Sequence, residues 1–171
     1  MKCTSCLLII TFTCILSAQA QQSDTSISQT KVIRETLQIL TGVTVGRNTW
    51  AEVGIAKNIS ATQGHHPFSV TIFGSNEMRL NDKFVWGPKV GVWAAGGFAA
   101  MVMGVNMIYY TNFHHGTPVV RPEIGFGLKY FKIVYGYNIR VAKNRIDGLD
   151  HSVGSLVVGI GVKKLRTYNA N

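Results

Sequence analysis

A chain of 171 residues is long enough for one domain, and 17 lysines and arginines against 8 acidic residues give it a net charge of +9. All three cysteines, Cys3, Cys6 and Cys14, lie at the extreme N-terminus. The rest of the chain therefore excludes a disulfide framework, a thiolate metal site and a cysteine nucleophile.

The first twenty residues read as a secretory signal peptide. Met1-Lys2 is a short positive start, "CLLIITFTCIL" (Cys6 to Leu16) an apolar stretch, and "SAQA" (Ser17 to Ala20) ends in an A-x-A cleavage pattern. Lys2 is the one charged residue of this segment, so its removal takes the charge to +8. An exported protein rarely meets nucleic acid, so the basic excess points to an anionic lipid surface or an anionic ligand. Residues 21–36 ("QQSDTSISQTKVIRET") are polar without helical periodicity and read as an N-terminal tail.

Residues 37–165 read as the folded domain, with 166–171 as a C-terminal tail. Period-two alternation marks half-buried strands. Ala51, Val53 and Ile55 alternate with Glu52, Gly54 and Ala56; Phe68, Val70 and Ile72 alternate with Ser69 and Thr71. Val90, Val92 and Ala94 alternate with Lys89, Gly91 and Trp93. The segment Val90 to Tyr110 has no charge over a helix-spanning length. Gly96-Gly97 near its middle favours two strands and a tight turn over one membrane helix.

The plainest hairpin is "VRPEIGFGLKYFKIVYGYNIRV" (Val120 to Val141). Even positions from Val120 to Tyr130 are apolar, and Arg121, Glu123, Gly125, Gly127 and Lys129 fall between them. After a turn the parity flips. Phe131, Ile133, Tyr135, Tyr137 and Ile139 are then apolar, with Lys132, Gly136, Asn138 and Arg140 opposite. Two antiparallel strands thus present one apolar face and one charged, Gly-rich face. Leu156, Val158, Ile160 and Val162 close the series.

Eight strands are expected, at 37–46, 49–57, 68–77, 84–95, 98–110, 118–129, 131–141 and 152–164. With no amphipathic helix to cover a sheet and no disulfide, the fold class expected is all-β, an eight-stranded antiparallel up-and-down transmembrane β-barrel. Joins at Gly96-Gly97 and Lys129 to Phe131 are short, as periplasmic turns are, and those at 111–117 and 142–151 are longer, as external loops are. The first hairpin breaks this rule, with a tight external turn at Arg47-Asn48 and a long join over 58–67.

The motifs "GRNTWAEVGIAKN", "WGPKVGVW", "PEIGFG" and "YGYNI" resemble those of small exported outer-membrane β-barrel proteins of Bacteroidetes-type bacteria, a group mostly without assigned activity. The resemblance covers residues 37 to 164 and implies a fold and a place, not a reaction. It also implies a last strand ending on an aromatic residue. Here the sequence runs on as "KKLRTYNAN", with Tyr168 close to Asn171.

In a barrel, Glu52, Lys89, Arg121, Glu123, Lys129, Lys132 and Arg140 face the lumen. Eight strands leave an interior just wide enough for side chains to fill, so these charges are expected to pair as a structural plug rather than to line an anion pore or ligand pocket. Pro88 and Pro122, at similar heights in strands flanking one neighbour, should distort the ladder locally. Trp50, Trp86, Tyr109, Tyr110, Phe113, Tyr130 and Phe131 fall near strand ends, as interfacial girdles do.

A histidine pair can bind a transition metal. His65-His66 belongs to the other end of the barrel from His114, His115 and His151, which share the outer side with Asp147 and Asp150. The alternative there is a surface metal site, but no spacing matches a metal motif, so exposed loop histidines are expected and no cofactor. "HSVGS" (His151 to Ser155) offers a histidine and a serine for lipid acyl hydrolysis or transfer. Residues four apart on a strand are roughly 13 Å apart, beyond the reach of a nucleophile–base pair.

The expected protein is a monomeric barrel of the bacterial outer membrane, contacting membrane lipid and no nucleic acid, with a structural or interaction role and no catalysis. One alternative is a soluble periplasmic or secreted barrel holding a small apolar ligand, in which the two faces are inverted. A lipid-modifying outer-membrane enzyme is the second.

Overall fold

Alternation along the chain becomes a continuous wall in the computed structural model, which describes residues 31–63, 66–81, 83–97, 100–142, 146 and 148–170. The signal segment and residues 21–30 lie outside these, as do Gly64 and His65. The strands in chain order are β1 (Lys31–Val45), β2 (Thr49–Gln63), β3 (His66–Arg79), β4 (Trp86–Gly96) and β5 (Met101–Thr111), then β6 (Gly116–Leu128), β7 (Phe131–Tyr137), β8 (Ile139–Arg140) and β9 (Ser152–Ala170). Each pairs antiparallel with its chain neighbour, β7 and β8 both pair with β6, and β9 pairs with β7 and returns to β1. β7 and β8 are two parts of one wall strand interrupted at Asn138, so the sheet closes as an eight-stranded antiparallel up-and-down barrel. Closure leaves no sheet edge to cover except at the short β8, which pairs with β6 alone.

The uncharged stretch Val90 to Tyr110 forms the β4–β5 hairpin, and among the described residues no helix is long and apolar enough to cross a membrane. The turn closes where Ala100 donates its N–H to the Gly97 carbonyl, 3.3 Å away. Gly97 has φ +80°, a left-handed conformation open to glycine without a steric cost.

Several expected boundaries are corrected. β1 begins at Lys31, inside the segment read as a tail, and β9 continues to Ala170, through the segment read as a C-terminal tail. These ends pair with each other from Lys31↔Ala170 to Arg34↔Thr167. The long join at 58–67 is also absent, because β2 runs to Gln63 and β3 starts at His66 with the ladder intact between them. The joins at 64–65, 97–100 and 129–130 therefore share one end of the barrel with both termini, called here the terminal end. Those at 46–48, 80–85, 112–115 and 141–151 share the other, the loop end. The exception at the first hairpin disappears.

Both prolines mark breaks. Pairing between β4 and β5 skips from Trp86↔Thr111 to Lys89↔Ile108, across Pro88. Pairing of β6 with β7 and β8 skips from Glu123↔Gly136 to Val120↔Ile139, across Pro122. A proline has no N–H to give the ladder, and the missing rungs follow.

The faces are sorted by chemistry. From β3 through β8 the outward positions carry no charged residue; Ile72, Val90, Met107, Phe126 and Ile133 are each more than half exposed there. Inward positions carry the buried polar and charged residues, together with two apolar clusters. One, with Leu40, Phe73, Trp93 and Val102, fills the terminal half of the lumen. The other, with Trp50, Tyr110 and Val119, fills the loop half and includes Val85, Ile146 and Leu149 from the loops. Trp50 and Tyr110 were expected in a girdle. They face inward instead, their ring centroids 4.8 Å apart.

Candidate functional site: the charged lumen

Between the two apolar clusters lies an ion-pair network centred on a residue the alternation did not single out, Glu77 of β3. Lys89 on β4 bridges it to Glu52 on β2, with its Nζ 2.8 Å from each carboxylate. Arg121 on β6 reaches Glu77 in a fork, Nη1 at 2.7 Å and Nη2 at 3.2 Å, and Tyr110 on β5 donates its hydroxyl to the same carboxylate. Ser75 donates to Glu52 over 2.6 Å, and Arg121 Nε donates to Asn138 Oδ1 over 2.7 Å. Farther toward the terminal end Lys132 pairs with Glu123. Lys132 also lies over the Trp93 and Phe73 rings, 4.6 and 5.4 Å from their centroids.

Three carboxylates, Glu52, Glu77 and Glu123, thus meet three cations, Lys89, Arg121 and Lys132, all buried. An isolated charge in a low-dielectric interior costs several kcal/mol of desolvation; pairing with additional hydrogen bonds offsets it. The six side chains carry no net charge as a set.

Glycines on the inward face make room for it. A Cβ on Gly87 would fall 2.7 Å from the Tyr110 ring, and one on Gly136 would fall 2.8 Å from Arg121 Cδ. The charged, Gly-rich face of the sequence is therefore one feature: small residues stand where large ionic side chains cross the lumen.

Of the charges expected in the lumen, Glu52, Lys89, Arg121, Glu123 and Lys132 come together there. Lys129 and Arg140 are corrections. Lys129 lies in the β6–β7 turn, past the last ladder pair Leu128↔Phe131; its ammonium is over the Tyr130 ring, and its carbonyl accepts from Gln38. Arg140 lies on β8 beyond the break at Asn138, half-buried, and donates to the Leu149 carbonyl instead of to a carboxylate.

That contact belongs to a lid. Asn138 Nδ2 donates to the Asp150 carbonyl at 2.7 Å, Asn48 N–H to the Asp150 carboxylate at 3.0 Å, and Ile146 N–H to Thr117 at 3.2 Å. These bonds hold Ile146 and Asp150 at the mouth and set Ile146 and Leu149 into the loop-half cluster.

His114, His115 and His151 lie at the loop end, and His66 opens β3 at the terminal end. His114 is exposed, its Nδ1 3.3 Å from the Asn112 carbonyl, and His151 is exposed with its ring stacked on Tyr137 at 6.1 Å. His115 is exposed as well, and among the described residues no three His, Cys, Asp or Glu side chains converge as metal ligands. Ser155 faces the lumen and shares a 2.9 Å hydrogen bond with Thr44, on the other side of the wall from the His151–Tyr137 stack.

No family model matches the chain, and neither a curated protein nor a solved structure is similar to it.

Proposed function

We propose that this chain is a monomeric membrane barrel of a bacterial outer membrane, exported by its signal peptide, with a structural or interaction role carried by its loop end. One observation carries the reading: every outward position from β3 through β8 is uncharged, while Glu52, Glu77, Lys89, Arg121, Glu123 and Lys132 are packed inside. A barrel in water needs the reverse, with charges outside and an apolar interior. The soluble, ligand-holding alternative requires that inversion, and the arrangement argues against it.

Lengths fit as well. β4 and β5 have 11 residues each, near the 9–11 or so that a tilted strand needs to cross a hydrocarbon core. Closure pairs the backbone groups that lipid cannot solvate. Trp86, Phe84 and Phe113 stack in pairs at the loop end, with centroids 6.1 and 6.2 Å apart. Tyr130 and Phe131 are exposed at the terminal end. These are the two margins at which aromatic girdles lie. The outward charges Lys57, Glu35, Lys163 and Arg166 begin just beyond the apolar belt on β2, β1 and β9. By the loop-length rule the terminal end faces the periplasm and the loop end the exterior.

The test is physical. Detergent-extracted protein should run at a different apparent size on a gel before and after boiling, and it should enter lipid vesicles from urea. Partition into the aqueous phase without detergent, with mobility unchanged by boiling, would sink the membrane reading.

A further inference from the structure

The barrel wall has a gap at its loop end. β8 is backed by β6 alone, because β9 starts at Ser152, opposite Tyr137, and its last rung with β7 is that pair. Beyond it, Ile139 to Ala142 have no partner strand on the β9 side among the described residues. The Val141 N–H goes to the Pro118 carbonyl, so by antiparallel alternation the Arg140 peptide groups turn toward the open side.

A recess of about 450 Å³ occupies this gap, lined among others by Tyr137, Asn138, Arg140, Val141 and His151. Its polar groups are held in place. Asn138 is fixed by Arg121 and the Asp150 carbonyl, His151 lies on the Tyr137 ring, and Arg140 is tethered to Leu149. Arg140 Nε has no hydrogen-bond partner in the protein, so the contact with Leu149 leaves the guanidinium's donors unsaturated.

Val141 also lines a second space. An apolar groove of about 700 Å³ runs across the outward face, past Pro118 and Val120 on β6, Met107 on β5 and Pro88 on β4, to Gly74 on β3. Gly74 leaves the wall bare there, since a Cβ built on it would meet nothing within 4 Å. Val141 thus borders both a cationic recess at the margin of the apolar belt and an apolar groove inside it. An amphiphile has that shape.

We infer that recess and groove form one binding site for a lipid with a phosphate headgroup, the phosphate on Arg140 and His151 and an acyl chain along the groove from Val141 to Gly74. The inference rests on the membrane reading. Arginine suits the role because its fixed fork matches phosphate oxygens, and a phosphate fills the donor capacity that the protein leaves open.

The experiment is native mass spectrometry of the full-length chain, refolded in detergent and equilibrated with phosphatidylglycerol or with diacylglycerol of identical acyl chains, which lacks the phosphate. Retention of one phosphatidylglycerol should exceed that of diacylglycerol by about tenfold, the worth of one charge-assisted hydrogen bond. Arg140→Gln with His151→Gln should abolish the preference. His151→Gln alone, at an exposed side chain that holds no loop, should reduce it. Gly74→Phe, which puts a ring into the groove, should lower retention of both lipids. Lys57→Gln with Lys163→Gln, at the opposite margin, should leave the preference unchanged. Equal retention of the two lipids, or a preference that survives the Arg140/His151 variant, would overturn the site. Heat-modifiable mobility of the same samples separates the failures: a chain that enters lipid but shows no preference loses only this site, whereas one that stays aqueous loses both readings.

Discussion

The same residue types, Glu paired with Lys or Arg, occur in two places with opposite consequences. Inside, Glu77 is fully buried against Lys89, Arg121 and Tyr110. On the outward face beyond the apolar belt, Glu35 pairs with Lys57 at 2.9 Å, and the Lys57 side chain is 46% exposed. Water screens the second pair and lets each partner stand alone. The first pair has no such recourse, so its members hold one another in place and fix which strands face each other across the lumen. Burial, not ion pairing as such, decides which charges matter to the fold.

Breaking the inner network should have the largest effect. Glu77→Gln leaves Arg121 without its carboxylate and should cost about 3–5 kcal/mol, as removal of one partner from a buried pair does. Urea unfolding of the vesicle-inserted protein reads this as a shift in midpoint. Pairing Glu77→Gln with Arg121→Met should lose less than the sum of the single changes, since the orphaned cation goes too. A single-variant loss of under about 1 kcal/mol, the range of an exposed pair, would mean that water reaches Glu77.

Much of this was legible in the sequence, and the failures have causes. Period-two alternation marks a strand only where one face is apolar. Over Leu37 to Val45 and Leu156 to Val162 it holds, but past the belt both faces become polar, and Arg34, Glu35, Asn58, Ser60 and Arg166 read as tail or loop although the ladder continues through them. Glu77 was hidden by its neighbour. Asn76 is polar on the outward face because it accepts the Trp86 indole N–H at 3.0 Å, and this masks the inward parity of Ser69, Thr71, Phe73, Ser75 and Glu77. Trp50 shares the parity of Glu52, and that parity was a better guide than its place near a strand end. Lys129 and Arg140 show the converse error. Parity carried both into the lumen set, but a turn and a broken rung release them from it. The lid before β9 had no sequence signal, since it depends on hydrogen bonds from Asn48, Thr117 and Asn138, all remote in the chain.

An outward charge where none exists sharpens the contrast from the other side. Val105, in the middle of β5, faces outward and pairs with Val92 and Pro122. In lipid, Val105→Arg should destabilise by about 2–4 kcal/mol, the cost of a cation at the bilayer midplane. Thr111→Arg, at the loop end of the same strand, should cost about 0–1 kcal/mol. The gradient is the diagnostic, because in water both positions would accept arginine alike. Equal urea midpoints for the two variants would argue against a hydrocarbon surround.

The smallest change belongs to the outer pair. Lys57→Gln removes the partner of Glu35, yet Tyr168 still donates to that carboxylate at 3.3 Å and water can solvate the rest. The urea midpoint should not move measurably, in low salt or high. Its neighbours should nevertheless matter collectively. Leu37 is flanked by Lys57 on β2 and Lys163 on β9, and the register shift between Leu37 and Gln38 is what brings Lys163 opposite Leu37 on the outward face. With a regular ladder that lysine would have turned inward. Replacing Lys57, Lys163 and Arg166 together by leucine extends the apolar belt toward the terminal end. In vesicles of increasing acyl-chain length, the triple variant should fold best in a thicker bilayer than the parent. An unchanged optimum would mean that these cations do not mark the edge of the membrane.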